Sequence, residues 1–349
     1  MSGLRREGVD GENTLEGELL AGLGTLKARV TTAVLGMAGL AALVLLFREA
    51  DPQLLADAVS RIGWRPVLLS LLSFHAGFLL YTLGWYVLLG GRLSFRDAYL
   101  ISWVGTLASL IIPAGPLSAD ATRTYLAHKR GGLGIGEAAS SITAHRITML
   151  MPFVVYVGGG SAYLLLSGME GSEAGARALM LAGASGVLVI FGLLATTSER
   201  VLGGILRLAE RLTRRDISAV RAIADDYLEG YARLRENLPL MVKVVAISLG
   251  GWLMDMMPIL ILLHALKPDF PLLAGVLVYS VNIIMLRLPL GIPGGNLGLR
   301  EWASVGLLEA LGLTREMAAA VTLVASDVIA LLNQLTFGLL AYLIVLKEG

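Results

Sequence analysis

Six stretches of this chain are apolar for long enough to cross a bilayer, and that length limits the fold more than any motif does. They lie near Thr31–Phe47, Trp64–Leu89, Ser140–Leu166, Leu179–Thr197, Leu240–Leu263 and Ala318–Val345. A helix of about 20 apolar residues spans a hydrocarbon core of roughly 30 Å. Lipid offers the backbone no hydrogen-bond partner, so a spanning segment is a helix or part of a closed barrel. Long unbroken runs, in place of alternating strands of about ten residues, select helices. Composition agrees: of 349 residues, 56% are hydrophobic and 16% charged, against about 25% charged in a soluble domain. Mean hydropathy is +0.73. The expected fold class is all-α, a polytopic membrane protein with about six spans.

Several kinds of chemistry are excluded early. Net charge is +1, so no basic field invites a nucleic acid. There is no cysteine, which removes disulfides and thiolate chemistry. The four histidines have no metal-ligand spacing, and no Walker A, G-x-S-x-G or H-E-x-x-H motif occurs. Neither a cofactor nor a metal is expected, and no direct drive by ATP. Gly132-Leu133-Gly134-Ile135-Gly136 has glycine spacing but no preceding strand, and reads as a loop.

The chain divides into five parts. Residues 1–29 form a disordered cytoplasmic tail, without the basic start and cleavage pattern of a removed signal peptide. Residues 30–63 hold the first span and an outer amphipathic segment. Residues 64–198 and 240–349 are the two halves of a repeat. Between them, residues 199–239 place Val201, Ile205, Leu208, Leu212, Val220 and Tyr227 at helical spacing, with Arg207, Arg211 and Arg221 off that stripe. This reads as amphipathic helices on the membrane surface, or as a plain connector between the halves. The basic loops are Arg92–Arg96, Arg123–Arg130 and Arg200–Lys243, whereas Gly168–Ala176 carries Glu170 and Glu173. Basic loops face the cytoplasm, which puts both termini inside the cell.

The repeat rests on two matching breaks. Ile112-Pro113-Ala114-Gly115-Pro116-Leu117 returns 180 positions later as Ile292-Pro293-Gly294-Gly295-Asn296-Leu297. Each break follows an apolar half-span, Tyr99–Ile112 or Leu272–Leu290, and precedes an arginine, Arg123 or Arg300. His75 and Asp255 stand equally far upstream of the two prolines. The expectation is two re-entrant half-helix pairs in an inverted repeat. Backbone groups freed by Pro and Gly are tolerable at depth only inside protein or beside water. Paired interruptions of this kind mark a transport site. Ordinary kinked helices are the plain alternative.

Charges inside the bilayer each need a reason, at about 2.5–3.5 kcal/mol apiece. The candidate substrate-binding residues are Asp120, Arg123, His145, Arg146, Asp255, Arg287, Asn296, Arg300 and Glu301, with His75 and Asp327 nearby in sequence. Ser118 and Asn296 are good N-caps, so the helices after the breaks are expected to start there and to turn positive ends toward an anion. Arginines at those ends suit a phosphate, which guanidinium matches in a bidentate way. The acids would hold the arginines, or meet a cationic head group. Arg287, Arg300 and Glu301 have a plainer reading as snorkelling interface residues, and His75 as a core histidine.

Beyond this physical reading, the chain resembles a known family. Arg92-Leu93-Ser94-Phe95-Arg96-Asp97-Ala98, Ser102-Trp103-Val104-Gly105, the Pro113 break, Asp120-x-x-Arg123-x-Tyr125-Leu126 and Arg146-Ile147 are similar to the flippase-like membrane domain of lysyl-phosphatidylglycerol synthases. Ile292 to Glu301 resembles that family's Pro-Gly-Gly-x-Gly-x-Arg-Glu signature. The resemblance runs from Trp64 to the C-terminus, and implies handling of charged phospholipids or related lipid-linked molecules. Two departures leave head-group specificity open. Pro116-Leu117-Ser118-Ala119 replaces a glycine-rich stretch, and His145 stands where an acid often precedes the arginine. The chain ends at Gly349 with no aminoacyl-transferase domain, so synthesis of an aminoacyl lipid is not expected of it.

The leading expectation is ATP-independent translocation of a phospholipid or lipid-linked head group, in the cell membrane, by a protein more translocase than enzyme. The partner is that lipid, not a nucleic acid, and a homodimer stays open. The alternatives are a secondary transporter of a small anion or amphipathic solute, a polyprenyl-phosphate-dependent transferase using Glu49 or Asp51 as base, and a partner subunit of a lipid-modifying complex.

Overall fold

A computed structural model describes residues 26–112, 116–166, 218–287 and 292–348, with isolated positions between 168 and 204. Every described element is a helix. Helix α1 (Leu26–Arg48) leads into α2 (Pro52–Ile62), α3 (Trp64–Leu88), α4 (Phe95–Ile111), α5 (Pro116–Gly131) and α6 (Ile135–Leu166). After the undescribed stretch come α7 (Ser218–Glu236), α8 (Leu238–Leu266), α9 (Leu272–Arg287), a turn at Pro293–Asn296, and α10 (Leu299–Ala310). Helix α11 (Arg315–Glu348) closes the chain, with an i→i+5 stretch at Leu323–Leu331. Among the described residues three helices are long and apolar enough to cross a membrane: Trp64–Leu88, Leu238–Leu266 and Arg315–Glu348. Shorter apolar helices run over Ala33–Leu46 and Leu272–Leu286. The span expected over Leu179–Thr197 and the basic segment Arg207–Arg215 fall outside the described residues.

Local sequence accounts for most helix starts. Asp51 accepts from the amides of Gln53 (2.8 Å) and Leu54 (3.1 Å) ahead of Pro52, which suits a first helical turn. Ser94 accepts from the Asp97 amide at 3.0 Å and donates its hydroxyl to the Asp97 carboxylate at 2.6 Å. Asn237 accepts from the Leu240 amide and Thr314 from that of Met317. Helix α6 is capped from elsewhere: the Glu137 amide donates to Asp226 on α7 at 3.1 Å. Gly136 makes the approach possible, since a Cβ there would lie 2.6 Å from the Tyr227 nitrogen.

Helices on either side of the undescribed stretch interlock through close contacts. Helices α3 and α8 share the most extensive interface in the molecule, meeting where Gly77 faces Gly251; a Cβ on Gly77 would lie 3.2 Å from the Gly251 oxygen. Half-helix α4 packs on α11, where a Cβ on Gly338 would come within 2.7 Å of the Leu107 Cβ. Half-helix α9 packs on α6, where a Cβ on Gly160 would fall 2.8 Å from the Leu277 Cα. Each short apolar helix thus lies against a long helix from the other side of the undescribed stretch. Packing between apolar helices in lipid depends on such small residues, because lipid tails already solvate apolar side chains.

Candidate functional site

The second break is fully bent. Gly294, Gly295 and Asn296 have φ of 72°, 68° and 61°, and Gly298 follows at 85°. Such left-handed backbone favours glycine and is tolerated by asparagine, and it prevents the helix from resuming before Leu299. The expected N-cap at Asn296 is therefore corrected. Its amide donates instead to the Met285 carbonyl at 2.6 Å, tying the turn to the end of α9. Glu301 caps α10 by accepting from the Gly298 amide at 2.6 Å. Helix α1 makes room for the turn with two glycines: a Cβ on Gly39 would lie 2.6 Å from the Leu297 oxygen, and one on Gly36 would lie 3.6 Å from Pro293. The Trp302 indole donates to the Ala42 carbonyl at 2.8 Å.

Pro113, Ala114 and Gly115 of the first break lie outside the described residues, but both limbs around them are described. Helix α4 ends at Ile111 and α5 begins at Pro116, two residues before the expected cap. Ser118 is inside α5, and its hydroxyl donates across the hairpin to the Ala108 carbonyl at 3.2 Å. Both expected caps failed for the same reason: each side chain found a carbonyl on the opposite limb. The two breaks approach one another, with a Cβ on Gly295 falling 3.8 Å from Leu110 at the end of α4.

Arg123 on α5 is 1% exposed. It donates to the Tyr81 hydroxyl at 2.7 Å and approaches His145 Nδ1 at 3.4 Å. Guanidinium can only donate, so that imidazole nitrogen is the acceptor. The cation lies 4.1 Å from the Trp85 ring centre and 5.3 Å from that of Tyr81. Trp85 is itself held by a bond from its indole to the Ser141 hydroxyl. Gly105 leaves space for the arginine stem, and Gly84 for the His145 ring. Among the described residues no carboxylate reaches Arg123, and its Nε has no hydrogen-bond partner. Beside it, Arg146 pairs with Asp120 at 2.5 Å and donates to the Pro116 carbonyl at 2.8 Å, bracing the first turn of α5.

Arg300 has the opposite surroundings. It is 3% exposed and Glu301 is 0% exposed, which corrects the snorkelling alternative for both. Its Nε and Nη2 donate to Glu301 Oε1 at 2.7 and 2.5 Å, and Nη2 also reaches Asp327 at 3.2 Å. Asn282 on α9 donates to Ser304 and Ser326, both at 3.1 Å, beside this cluster. The positive end of α10 already holds a carboxylate, so it is not the open anion site that the break pattern implied. Asp255 joins neither arginine and accepts from the Tyr279 hydroxyl at 2.5 Å. His75 meets Phe337 and Asn333 on α11. Arg287 ends α9, with its side chain outside the description.

The candidate residues thus gather into three groups: Arg123 with His145, Arg146 with Asp120, and Arg300 with Glu301 and Asp327. No hydrogen bond or ion pair joins the first group to the third among the described residues. Sequence reasoning missed Tyr81 and Trp85. Their i, i+4 spacing on one face of α3 was the available signal. Of the acids after the first span, Asp51 is occupied as a cap and Glu49 pairs with Arg315.

The chain was then compared with known proteins. The family model for the lysylphosphatidylglycerol synthase TM region matches residues 29–338. No curated protein and no solved structure matches the chain. The match covers both breaks, all three arginine groups and the aromatic face of α3, and carries with it a membrane location and a lipid-related role. The chain belongs to the family of the lysylphosphatidylglycerol synthase transmembrane region.

Proposed function

We propose that this protein moves a phospholipid or lipid-linked head group across the membrane without ATP, using Arg123 to receive the phosphate. The carrying observation is the buried Arg123 guanidinium, boxed by Trp85, Tyr81 and His145 and compensated by no carboxylate among the described residues. A buried cation without a counter-ion is costly, and an anionic ligand supplies one. The free Nε adds an unused donor at the same place. The acyl chains would stay in the bilayer while the head group passes between the two hairpins. Support for an inverted repeat comes from the crossed contacts, α4 on α11 and α9 on α6, which a two-fold relation between the halves would generate. In this reading the chain makes about six spans, keeps both termini in the cytoplasm, and alternates access by rocking one half against the other.

The test is lipid movement in proteoliposomes carrying fluorescent phospholipids, read as label accessible to dithionite. The expected result is movement faster than in empty vesicles, returning to the empty rate in Arg123→Ala. Movement no faster than in empty vesicles across anionic, zwitterionic and cationic head groups would overturn the proposal. The near-complete enclosure of Arg123 favours a small anion as the second reading. Gradient-dependent anion uptake with no lipid effect would select it. The transferase reading loses support because Glu49 and Asp51 are both engaged.

A further inference from the structure

The Arg300 cluster contains one guanidinium and two carboxylates. With both acids ionised it would carry an excess negative charge in a site where Glu301 is 0%, Arg300 3% and Asp327 13% exposed. An uncompensated charge at such depth is neutralised by a proton more readily than it is tolerated. The hydrogen bonds indicate which acid carries it. Glu301 is supplied with donors on both oxygens: Oε1 accepts twice from Arg300, and Oε2 accepts from the Gly298 amide. Asp327 Oδ1 accepts from Arg300 at 3.2 Å, while Oδ2 is buried and meets no donor. Arg300 Nη2 lies 2.5 Å from Glu301 Oε1 and 3.2 Å from Asp327 Oδ1, so the two carboxyl groups share one donor and lie side by side. Two carboxyl groups can bond only through a proton, as in acid pairs that share one. The same proton neutralises the cluster and satisfies the orphan oxygen.

We propose that Asp327 and Glu301, held by Arg300, form a proton-binding site with one exchangeable proton, and that this proton couples turnover to the transmembrane proton gradient. Uptake places the proton on the Asp327 carboxyl group; release returns Asp327 to the carboxylate, leaving the Arg300–Glu301 pair intact. No other bond changes. A metal ion is a poor substitute, because no group of three ligating side chains occurs among the described residues. Ionisable groups on the neighbouring elements include Arg300 and Glu301 on α10, His75 and Tyr81 on α3, Asp255 on α8, and Tyr279 and Arg287 on α9. His75 is engaged by Asn333, Tyr81 by Arg123, and Asp255 by Tyr279. Among the described side chains, none of these gives Asp327 a second counter-charge. The coupling rests on the lipid-handling reading, whereas the proton site does not.

The test takes the full chain in liposomes and reads infrared difference spectra between alkaline and acidic pH. The expected result is the carbonyl stretch of a buried carboxylic acid, abolished in Asp327→Asn and shifted in Glu301→Gln. Absence of that band, or its persistence unchanged in both variants, would overturn the site. If Asp327→Asn yields too little folded protein, the Glu301→Gln spectrum decides alone: a shift supports the site and an unchanged band overturns it. Lipid movement is then measured with and without an imposed proton gradient. A several-fold change in the wild type that Asp327→Asn loses supports the coupling, and equal wild-type rates overturn it. A proton band without any lipid movement would leave the site standing and remove the lipid reading.

Discussion

The two arginines that follow the two breaks occupy matching places in sequence and opposite electrostatic surroundings. Arg123 is enclosed by aromatic rings and an imidazole, with a free Nε. Arg300 is enclosed by two carboxylates and donates to both. The difference begins with one neighbour: Thr124 follows Arg123, while Glu301 follows Arg300 and caps its own helix as well. A cation whose charge is already spent secures structure, and one left uncompensated is available to a ligand. On the proposed reading the two arginines divide the work, Arg300 anchoring its hairpin and Arg123 binding.

The largest effect on stability should come from the carboxylate side of this comparison. Removing one partner of a buried pair strands the other, at a cost of about 3–5 kcal/mol. Glu301→Ala should lose about that much in denaturant unfolding, because Arg300 keeps only its 3.2 Å contact with Asp327 and α10 loses its cap. Arg123→Ala strands no carboxylate and should lose only about 1–3 kcal/mol, the ordinary range for a buried substitution. Equal losses would erase the proposed division.

Next in size are the reciprocal glycines. Gly160→Ala and Gly338→Ala each force a Cβ into the half-helix of the other half. Overpacking of this kind costs about 1–3 kcal/mol, and the two losses should be similar if the halves are related by a two-fold. A clear inequality in melting temperature would break that relation. Trp85→Phe removes the indole bond to Ser141 and weakens the cation–π contact, for about 1 kcal/mol. It should slow lipid movement with little change in unfolding.

Smallest is the ion-pair knot at the other end of the first hairpin. Glu348 meets Arg96 at 2.5 Å and Arg130 at 3.2 Å, and Arg130 also reaches Asp97 at 3.1 Å. The Arg96 contact, then Arg130, holds the Glu348 carboxyl below its usual value of 4.5. Its contribution is complete above that value and is lost as pH falls through the lowered one. The knot is exposed and screened by salt. Glu348→Gln should therefore leave unfolding almost unchanged at neutral pH, and should remove a slight acid-dependent loss seen in the wild type at low ionic strength.

Much of this was legible before any coordinates. Apolar length marked α3, α8 and α11, and the Pro/Gly runs marked where α4 and α9 stop. Arg123 and Arg300 stood out because each follows a break, and Arg146 and Asp255 because they sit inside long apolar runs. The helix starts at Ser118 and Asn296 were misread because capping preference is local, whereas those side chains answer carbonyls ten and eleven residues away. The aromatic box was hidden because Tyr81 and Trp85 look like ordinary lipid-facing residues until Arg123 arrives from another helix. Asp327 could be seen as a buried acid, but its partner depends on how α10 and α11 pack.

The most direct test of the Arg123 assignment is a density map of the protein in lipid nanodiscs. Phosphate-sized density within hydrogen-bonding distance of Arg123 is the predicted result. An Arg123 paired with a protein carboxylate, with lipid head groups confined to the outer surface, would contradict it.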